Sequence, residues 1–283
     1  MAFHRPRKNE IHYQYCHYED CLVPFRGPER DLSEPYVAFL GGSEFFGKYV
    51  PTPLPDILEN RLALKCVNFG AMNAGPELIC RDERLSEIAC TAEAVVFQTT
   101  GAHNISNRFY RVHCRRNDRI VDILPALREV FPEGDFMDIH YTRHVLGYLQ
   151  SMSNSRFLMV VEELKARWIE TMREALSRID RPKVLFWMAR HEPRAQASDL
   201  VGDPLFVDET MLRAVTDMAD ELVVCRVSPE AQRLGTRGMV IPELENAVAP
   251  HLMGPAAMRE AADALTGPIR RIWDRKAAML KQA

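Results

Sequence analysis

Short apolar runs alternate with amphipathic segments along most of this chain. The apolar runs, bounded by turn residues, predict buried strands at 36–41, 64–70, 94–101, 183–189 and 221–227. Helix-like segments with apolar residues every three or four positions lie between and after them, at 55–63, 76–89, 162–179, 209–219 and 255–280. Strands that alternate with helices predict an α/β fold, a three-layer α/β/α sandwich around a mainly parallel five-stranded sheet.

Two stretches depart from this rhythm. Residues 1–35 are rich in Tyr, His, Pro and Arg and have no clear period, which predicts an irregular N-terminal arm. Its larger apolar and aromatic side chains should pack onto the domain: Tyr13, Tyr15, Tyr18, Leu22 and Phe25. Residues 36–283 then form a single domain with an insertion at about 102–160, which is either a lid or a dimer contact. The sequence leaves a homo-oligomer open.

Composition narrows the classes of partner. The 283 residues are 47% hydrophobic and 27% charged, with a net charge of −3, so we expect neither nucleic acid nor an anionic membrane as partner. No apolar stretch approaches the ~20 residues that a spanning helix needs, and we expect no signal peptide. Seven cysteines without zinc-like pairing suggest reduced thiols and a cytoplasmic location.

Small polar residues follow the first three predicted strands. They form the strings Gly41-Gly42-Ser43, Asn68-Phe69-Gly70 with Asn73-Ala74-Gly75, and Gly101-Ala102-His103-Asn104. The carboxyl ends of parallel strands meet at one edge of a sheet, so these groups should share a crevice. A serine beside backbone N–H groups and an asparagine amide offers a nucleophile with an oxyanion hole.

The order of these strings, with a late histidine before the last helix, resembles the SGNH (GDSL-like) hydrolase superfamily. The resemblance covers about 36–104 well and 183–280 loosely, and strings such as Asn73-Ala-Gly-Pro76 are similar to an uncharacterised bacterial branch. It implies a flavodoxin-like three-layer fold and hydrolysis of esters, including O-acetyl groups on sugars, with no cofactor or metal. It also implies Ser43 as nucleophile, Ser43 N–H, Gly70 N–H and Asn104 as oxyanion donors, and His251 as base.

The family motifs are incomplete in this chain. Gly42 stands where the family has aspartate, and Asn104 comes one position later than the family asparagine, behind His103. Val248 occupies the place of the acid three residues before His251, and the nearest acids are Glu243 and Glu245. Because a serine without a positioned base is a weak nucleophile, the alternative is a degenerate, non-catalytic member that binds an anionic glycan or similar ligand.

Basic residues in the insertion suggest the nature of the ligand. Arginine forks suit carboxylate, sulfate or phosphate groups, so we expect a small-molecule or glycan ester that carries negative charge. The predicted substrate-binding residues are Asn73, His103, Arg108, Arg115, Arg116, Arg143 and His144. His140 and His144 share a helical face, but no nearby acid completes a metalloprotease pattern, so we expect no zinc site.

Each of these assignments has a structural alternative. Ser43 could cap the following helix, and Asn68, Asn73 and Asn104 could only satisfy turn backbone. The arginines could form a solvated or subunit-facing surface. A transferase that uses an anionic donor is a third function, but no Walker or dinucleotide glycine pattern favours it.

Overall fold

The computed structural model describes residues 10–247 and 249–280, and of residues 276–280 only the backbone. A five-stranded, all-parallel sheet has the order β2-β1-β3-β6-β7. Its strands are β1 (Tyr36–Gly41), β2 (Lys65–Gly70), β3 (Ala94–Gln98), β6 (Lys183–Ala189) and β7 (Glu221–Arg226). An antiparallel hairpin interrupts their succession, with β4 (Tyr110–His113) and β5 (Arg116–Ile123).

Helices cover both faces of this sheet. They are α1 (Ser43–Phe46), α2 (Leu54–Leu62), α3 (Pro76–Arg81), α4 (Glu83–Thr91), α5 (Pro125–Val130), α6 (Thr142–Met152), α7 (Asn154–Ser177), α8 (Glu209–Thr216), α9 (Pro229–Leu234) and α10 (Pro255–Leu280). Helices α2 and α10 pack on one face, and α3, α4, α7 and α8 pack on the other. The predicted three-layer α/β/α sandwich with a five-stranded parallel sheet is therefore confirmed.

Strand β1 shows how one apolar run serves two cores. Successive side chains of a strand point to opposite faces. Tyr36, Ala38 and Leu40 accordingly enter one core, and Val37 and Phe39 enter the other. A continuous apolar run is what a strand buried on both faces requires. Because β1 pairs with both β2 and β3, the crevice at the carboxyl end of β1 lies where the strand order reverses.

The part of the arm that the structure describes is anchored by aromatic residues and one arginine. Tyr18 and Phe25 are buried against Phe69 of β2, as predicted. Tyr15 does not join the core: 53% of its surface is exposed, because it lies on the rim beside Phe46. Arg26 is buried and donates to four carbonyl oxygens between Phe46 and Pro51, which fixes the loop after α1.

The predicted insertion has more regular structure than its sequence suggested. It contains the β4–β5 hairpin and helices α5 and α6, and α7 begins at Asn154 rather than at 162. Charged residues at alternating positions of β4 and β5 masked the strand pattern, because this hairpin buries only one face. Within the described residues, no helix has the length and apolar character needed to cross a membrane.

Candidate active site

Ser43 lies at the carboxyl end of β1, at the sheet edge where open α/β folds form a crevice, and we call this region the crevice. It is the first residue of α1, and its Oγ accepts a hydrogen bond from the backbone N–H of Asn73 at 3.0 Å. The cap position belongs to Gly42, and no side chain of the described residues caps this helix. The hypothesis that Ser43 is a helix cap is therefore wrong. Its hydroxyl is instead directed to the loop after β2.

Asn73 is held at its position by its backbone and by its side chain. Its φ of 58° is in the left-handed region, which asparagine tolerates better than most residues. Its Nδ2 donates to Asp118 of β5 at 3.2 Å, and Arg116 binds the same carboxylate with two hydrogen bonds of 3.0 Å. The hairpin thus supports the loop that presents the Asn73 N–H to Ser43.

Asn104 lies beside this loop, in the segment after β3. It is buried, and its Oδ1 accepts a hydrogen bond from Thr142 Oγ1 at 2.7 Å. Its Nδ2 donates to the carbonyl oxygen of Asn73 at 3.4 Å, a long contact. The fold therefore brings together Ser43, Asn73 and Asn104. One N–H of the Asn104 amide makes no hydrogen bond to any described residue.

Gly70 does not supply a free N–H to this crevice. Its N–H donates to Asn68 Oδ1 at 2.9 Å, and Asn68 Nδ2 donates to the carbonyl oxygen of Phe45 at 2.7 Å. The assignment of Gly70 as an oxyanion donor is therefore corrected. Glycine is needed here for a different reason, because a Cβ would collide with the backbone of α1 at Phe46. Asn68 therefore has a structural role, in agreement with the alternative that it satisfies turn backbone.

A second group of polar side chains lies on the β3 side of the crevice. Gln98, the buried last residue of β3, accepts a hydrogen bond from Gly42 N–H at 2.8 Å and donates to Glu44 Oε2 at 2.7 Å. Burial raises the pKa of Glu44 above its ordinary value, and nearby Asp203 raises it further, while the Gln98 hydrogen bond opposes both. Ser43 and Glu44 thus point to opposite sides of the crevice.

Charged residues from three segments extend this second group. Arg143 of α6 pairs with Asp203 at 2.6 Å, and both side chains are about half exposed. Loss of water around Asp203 raises its pKa above the ordinary value, and the charges of Arg143 and His251 offset only part of this rise. His251 is exposed and, among the described residues, makes no hydrogen bond to Ser43 Oγ. Its role as base stays a prediction, and Val248 lies outside the described residues.

His103 lies next to Asn104 but faces a different environment. Its ring packs on Gly101, its Nδ1 is buried, and no described residue bonds to that nitrogen. Burial, and then the charge of Arg143, keep the pKa of His103 well below its ordinary value. His103 is therefore a neutral imidazole in this environment, and its protonation would place a second cation beside Arg143.

The predicted arginines do not form one continuous surface. Arg116 is bound to Asp118 and Arg143 to Asp203, whereas Arg108 lines a separate groove beside α7. Arg115 and His144 are exposed, and no described acid forms an ion pair with the side chain of either; the Arg115 backbone N–H donates to His113 Nδ1. The expectation of a shared substrate-binding wall is thus corrected, because the hairpin turns its arginines in different directions. Within the described residues, no group of three or more His, Cys, Asp or Glu could hold a metal ion.

Comparisons with known proteins assign the chain to a family. The model of the family described as Domain of unknown function (DUF6473) matches residues 1–273. The chain belongs to this family. No curated protein matches. Among solved structures, a lipase from a goat rumen metagenome is similar at a TM-score of 0.36 and 12% identity, over 83% of this chain and 97% of that chain. A likeness at this level supports no inference about activity or substrate.

Several residues of the crevice were not predicted from the sequence to belong to the site. They are Glu44, Gln98, Asp118, Thr142 and Asp203. Gln98 carried a usable signal, because it is a polar residue at the end of an otherwise apolar strand and must find hydrogen-bond partners when it is buried. Thr142 and Asp203 carried none, since their partners lie 38 and 60 residues away along the chain.

Proposed function

We propose that this chain is a serine ester hydrolase of the SGNH-like type that acts on an acyl ester of an anionic carbohydrate. The observation that carries the proposal is the hydrogen bond from Asn73 N–H to Ser43 Oγ, beside the Asn104 amide, at the switch point of the sheet. A serine hydroxyl near backbone and amide N–H groups is the kind of arrangement that acyl transfer uses, which supports the proposal.

The mechanism uses the chain's own groups. Ser43 Oγ attacks the ester carbonyl and passes its proton to His251, which acts as the base. Ser43 N–H and the unpaired N–H of Asn104 stabilise the oxyanion. His251 then protonates the leaving alcohol, and a water molecule releases the acid from the acyl-enzyme in the second half of the cycle.

Hydrolysis of p-nitrophenyl acetate by the parent, Ser43→Ala and Ser177→Ala tests the nucleophile. Ser177 is an exposed serine at the end of α7, so Ser177→Ala is a matched control. We expect Ser43→Ala to lose at least about 100-fold in kcat/KM and Ser177→Ala to retain the parental value. Equal activity of the parent and Ser43→Ala would exclude Ser43 as the nucleophile.

A non-catalytic binding protein is the second candidate. It is favoured by one observation, that within 10–247 and 249–280 no histidine ring hydrogen bonds to Ser43 Oγ. In that case the crevice binds an anionic glycan near Arg143 without turnover. A melting shift with a sulfated disaccharide that is lost in Arg143→Ala, together with no esterase activity in the parent, would select this function.

A further inference from the structure

A groove separate from the Ser43 crevice lies between the β4–β5 hairpin and helix α7. Its volume is about 740 Å³, within the range of roughly 300–1,000 Å³ that small-molecule sites occupy. Its wall has four arginines, from α3, the segment before β4, β4 itself and α7: Arg81, Arg108, Arg111 and Arg167. Neither Ser43 nor Asn104 lines it. The groove therefore needs its own explanation.

Two of the four guanidinium groups are already neutralised. Arg81 pairs with Glu77 and Arg167 pairs with Glu170, in each case along one helix. In the described part of the chain, no acid pairs with the guanidinium of Arg108 or Arg111. The guanidinium of Arg108 lies 5.0 Å from the ring centroid of Phe109, a cation–π contact that orients the group.

The backbone of this segment is held in place. Arg108 N–H donates to Glu163 Oε1 of α7 at 3.3 Å, and Val112 N–H donates to Ser106 Oγ at 3.1 Å. On β4, Tyr110 and Val112 are buried while Arg111 is exposed, so the strand's alternation turns Arg111 outward. The two unpaired guanidinium groups thus extend from a segment that is bonded to its neighbours.

Apolar side chains also line the groove. Val112, Val121 and Leu124 contribute to its lining, and 57% of the Val121 surface is exposed. An exposed valine beside unpaired arginines fits a ligand with two parts, an anionic group and an apolar or ring-shaped body.

We propose that this groove binds a small molecule that carries a tetrahedral oxyanion, a phosphate or sulfate ester, with Arg108 and Arg111 holding the anion. Planar guanidinium forks bind phosphate and sulfate oxygens in bidentate pairs, which a lysine cannot reproduce. The anion compensates guanidinium charge that no described acid pairs with, and the ester's body covers Val121. This site is independent of the proposed hydrolase function.

Calorimetric titration with p-nitrophenyl phosphate and p-nitrophenyl sulfate tests the groove. Both probes join a tetrahedral oxyanion to an aromatic ring, and the comparison shows which ester is preferred. The test variant is Arg108→Ala/Arg111→Ala. The matched control is Arg226→Ala/Arg233→Ala, which removes two exposed arginines outside the groove with the same change in net charge. All four side chains are exposed, so we expect both variants to fold.

We expect saturable binding of at least one probe to the parent, a Kd at least about tenfold higher in Arg108→Ala/Arg111→Ala, and an unchanged Kd in the control. Arg108→Lys/Arg111→Lys should also weaken binding, because it keeps the charge but loses the forks. Ser43→Ala should bind as the parent does, which separates this result from the fate of the hydrolase. No saturable binding to the parent, or equal loss in the test and control variants, would overturn the proposal.

Discussion

The hydroxyl of Ser43 accepts a hydrogen bond from the backbone N–H of Asn73, 30 residues further along the chain, at 3.0 Å. The bond joins the end of β1 to the left-handed turn after β2, where Asn73 has a φ of 58°. The position of the serine hydroxyl therefore depends on the conformation of a residue in another loop. This coupling makes Asn73 a test of how the crevice is built.

Asn73→Ala should destabilise the fold by about 1–2 kcal/mol relative to Asn73→Gly, because alanine pays the steric cost of the left-handed region and glycine does not. Both variants lose the side-chain hydrogen bond to Asp118, so their difference isolates the backbone. Urea unfolding measures the free energies. Equal stability of the two variants would show that the turn relaxes without cost.

His103 should remain neutral in the folded protein at pH values where exposed histidines are protonated. Its pKa lies well below the ordinary value, through burial and the charge of Arg143. As the pH falls below about 6.5, His103 binds a proton in the unfolded state but not in the folded state, so folding stability decreases. NMR titration of the ring nitrogens checks the charge. In His103→Gln, the loss of stability between pH 6.5 and 5 should be smaller.

Glu44 should make folding less stable as the pH rises. Burial raises its pKa, so the folded state retains the proton over a range where the unfolded state has released it. Stability from this group is complete below the ordinary pKa and is lost as the pH rises through the higher folded value. Glu44→Gln should therefore raise the Tm at pH 8 more than at pH 4.5. Glu230→Gln, at an exposed position in α9, is the control.

Arg26→Ala should destabilise the protein by about 3 kcal/mol or more, because it removes a buried charged donor and leaves four carbonyl oxygens without their hydrogen bonds. Arg26→Lys keeps the charge but cannot reach all four acceptors, so we expect an intermediate loss. Chemical unfolding gives the values. A difference below 1 kcal/mol between the parent and Arg26→Ala would mean that water replaces the side chain, since ~1 kcal/mol is the net value of one hydrogen bond.

Thr142→Val should disturb the crevice more than the fold. The substitution keeps the shape of a fully buried side chain but leaves Asn104 Oδ1 without its 2.7 Å donor. We expect a loss of about 1–3 kcal/mol in stability and, if Asn104 stabilises an oxyanion, a fall in kcat without a matching rise in KM. Thr216→Val, which removes a hydroxyl on α8, is the control for the substitution itself.

Local sequence was sufficient for the sheet and for the position of Ser43. Each strand of the parallel sheet is a short, mostly apolar run, and a run of that length between turn residues is typical of a strand that is buried on both faces. The hairpin was missed because β4 alternates only over four residues and β5 carries arginine and aspartate among its exposed positions. Such a strand resembles a polar loop until its partner is known.

What the sequence determined by itself is the layered α/β fold and the edge of the sheet at which Ser43, Asn73 and Asn104 meet. Periodicity and glycines at strand ends are local properties, so they can be recognised without contacts. Only the tertiary structure decided which polar groups at that edge are engaged. The Gly70 N–H is bound to Asn68, and the arginines divide between two aspartates and a separate groove. Hydrogen bonds and ion pairs are made between residues distant in the chain, and their geometry follows from packing rather than from spacing.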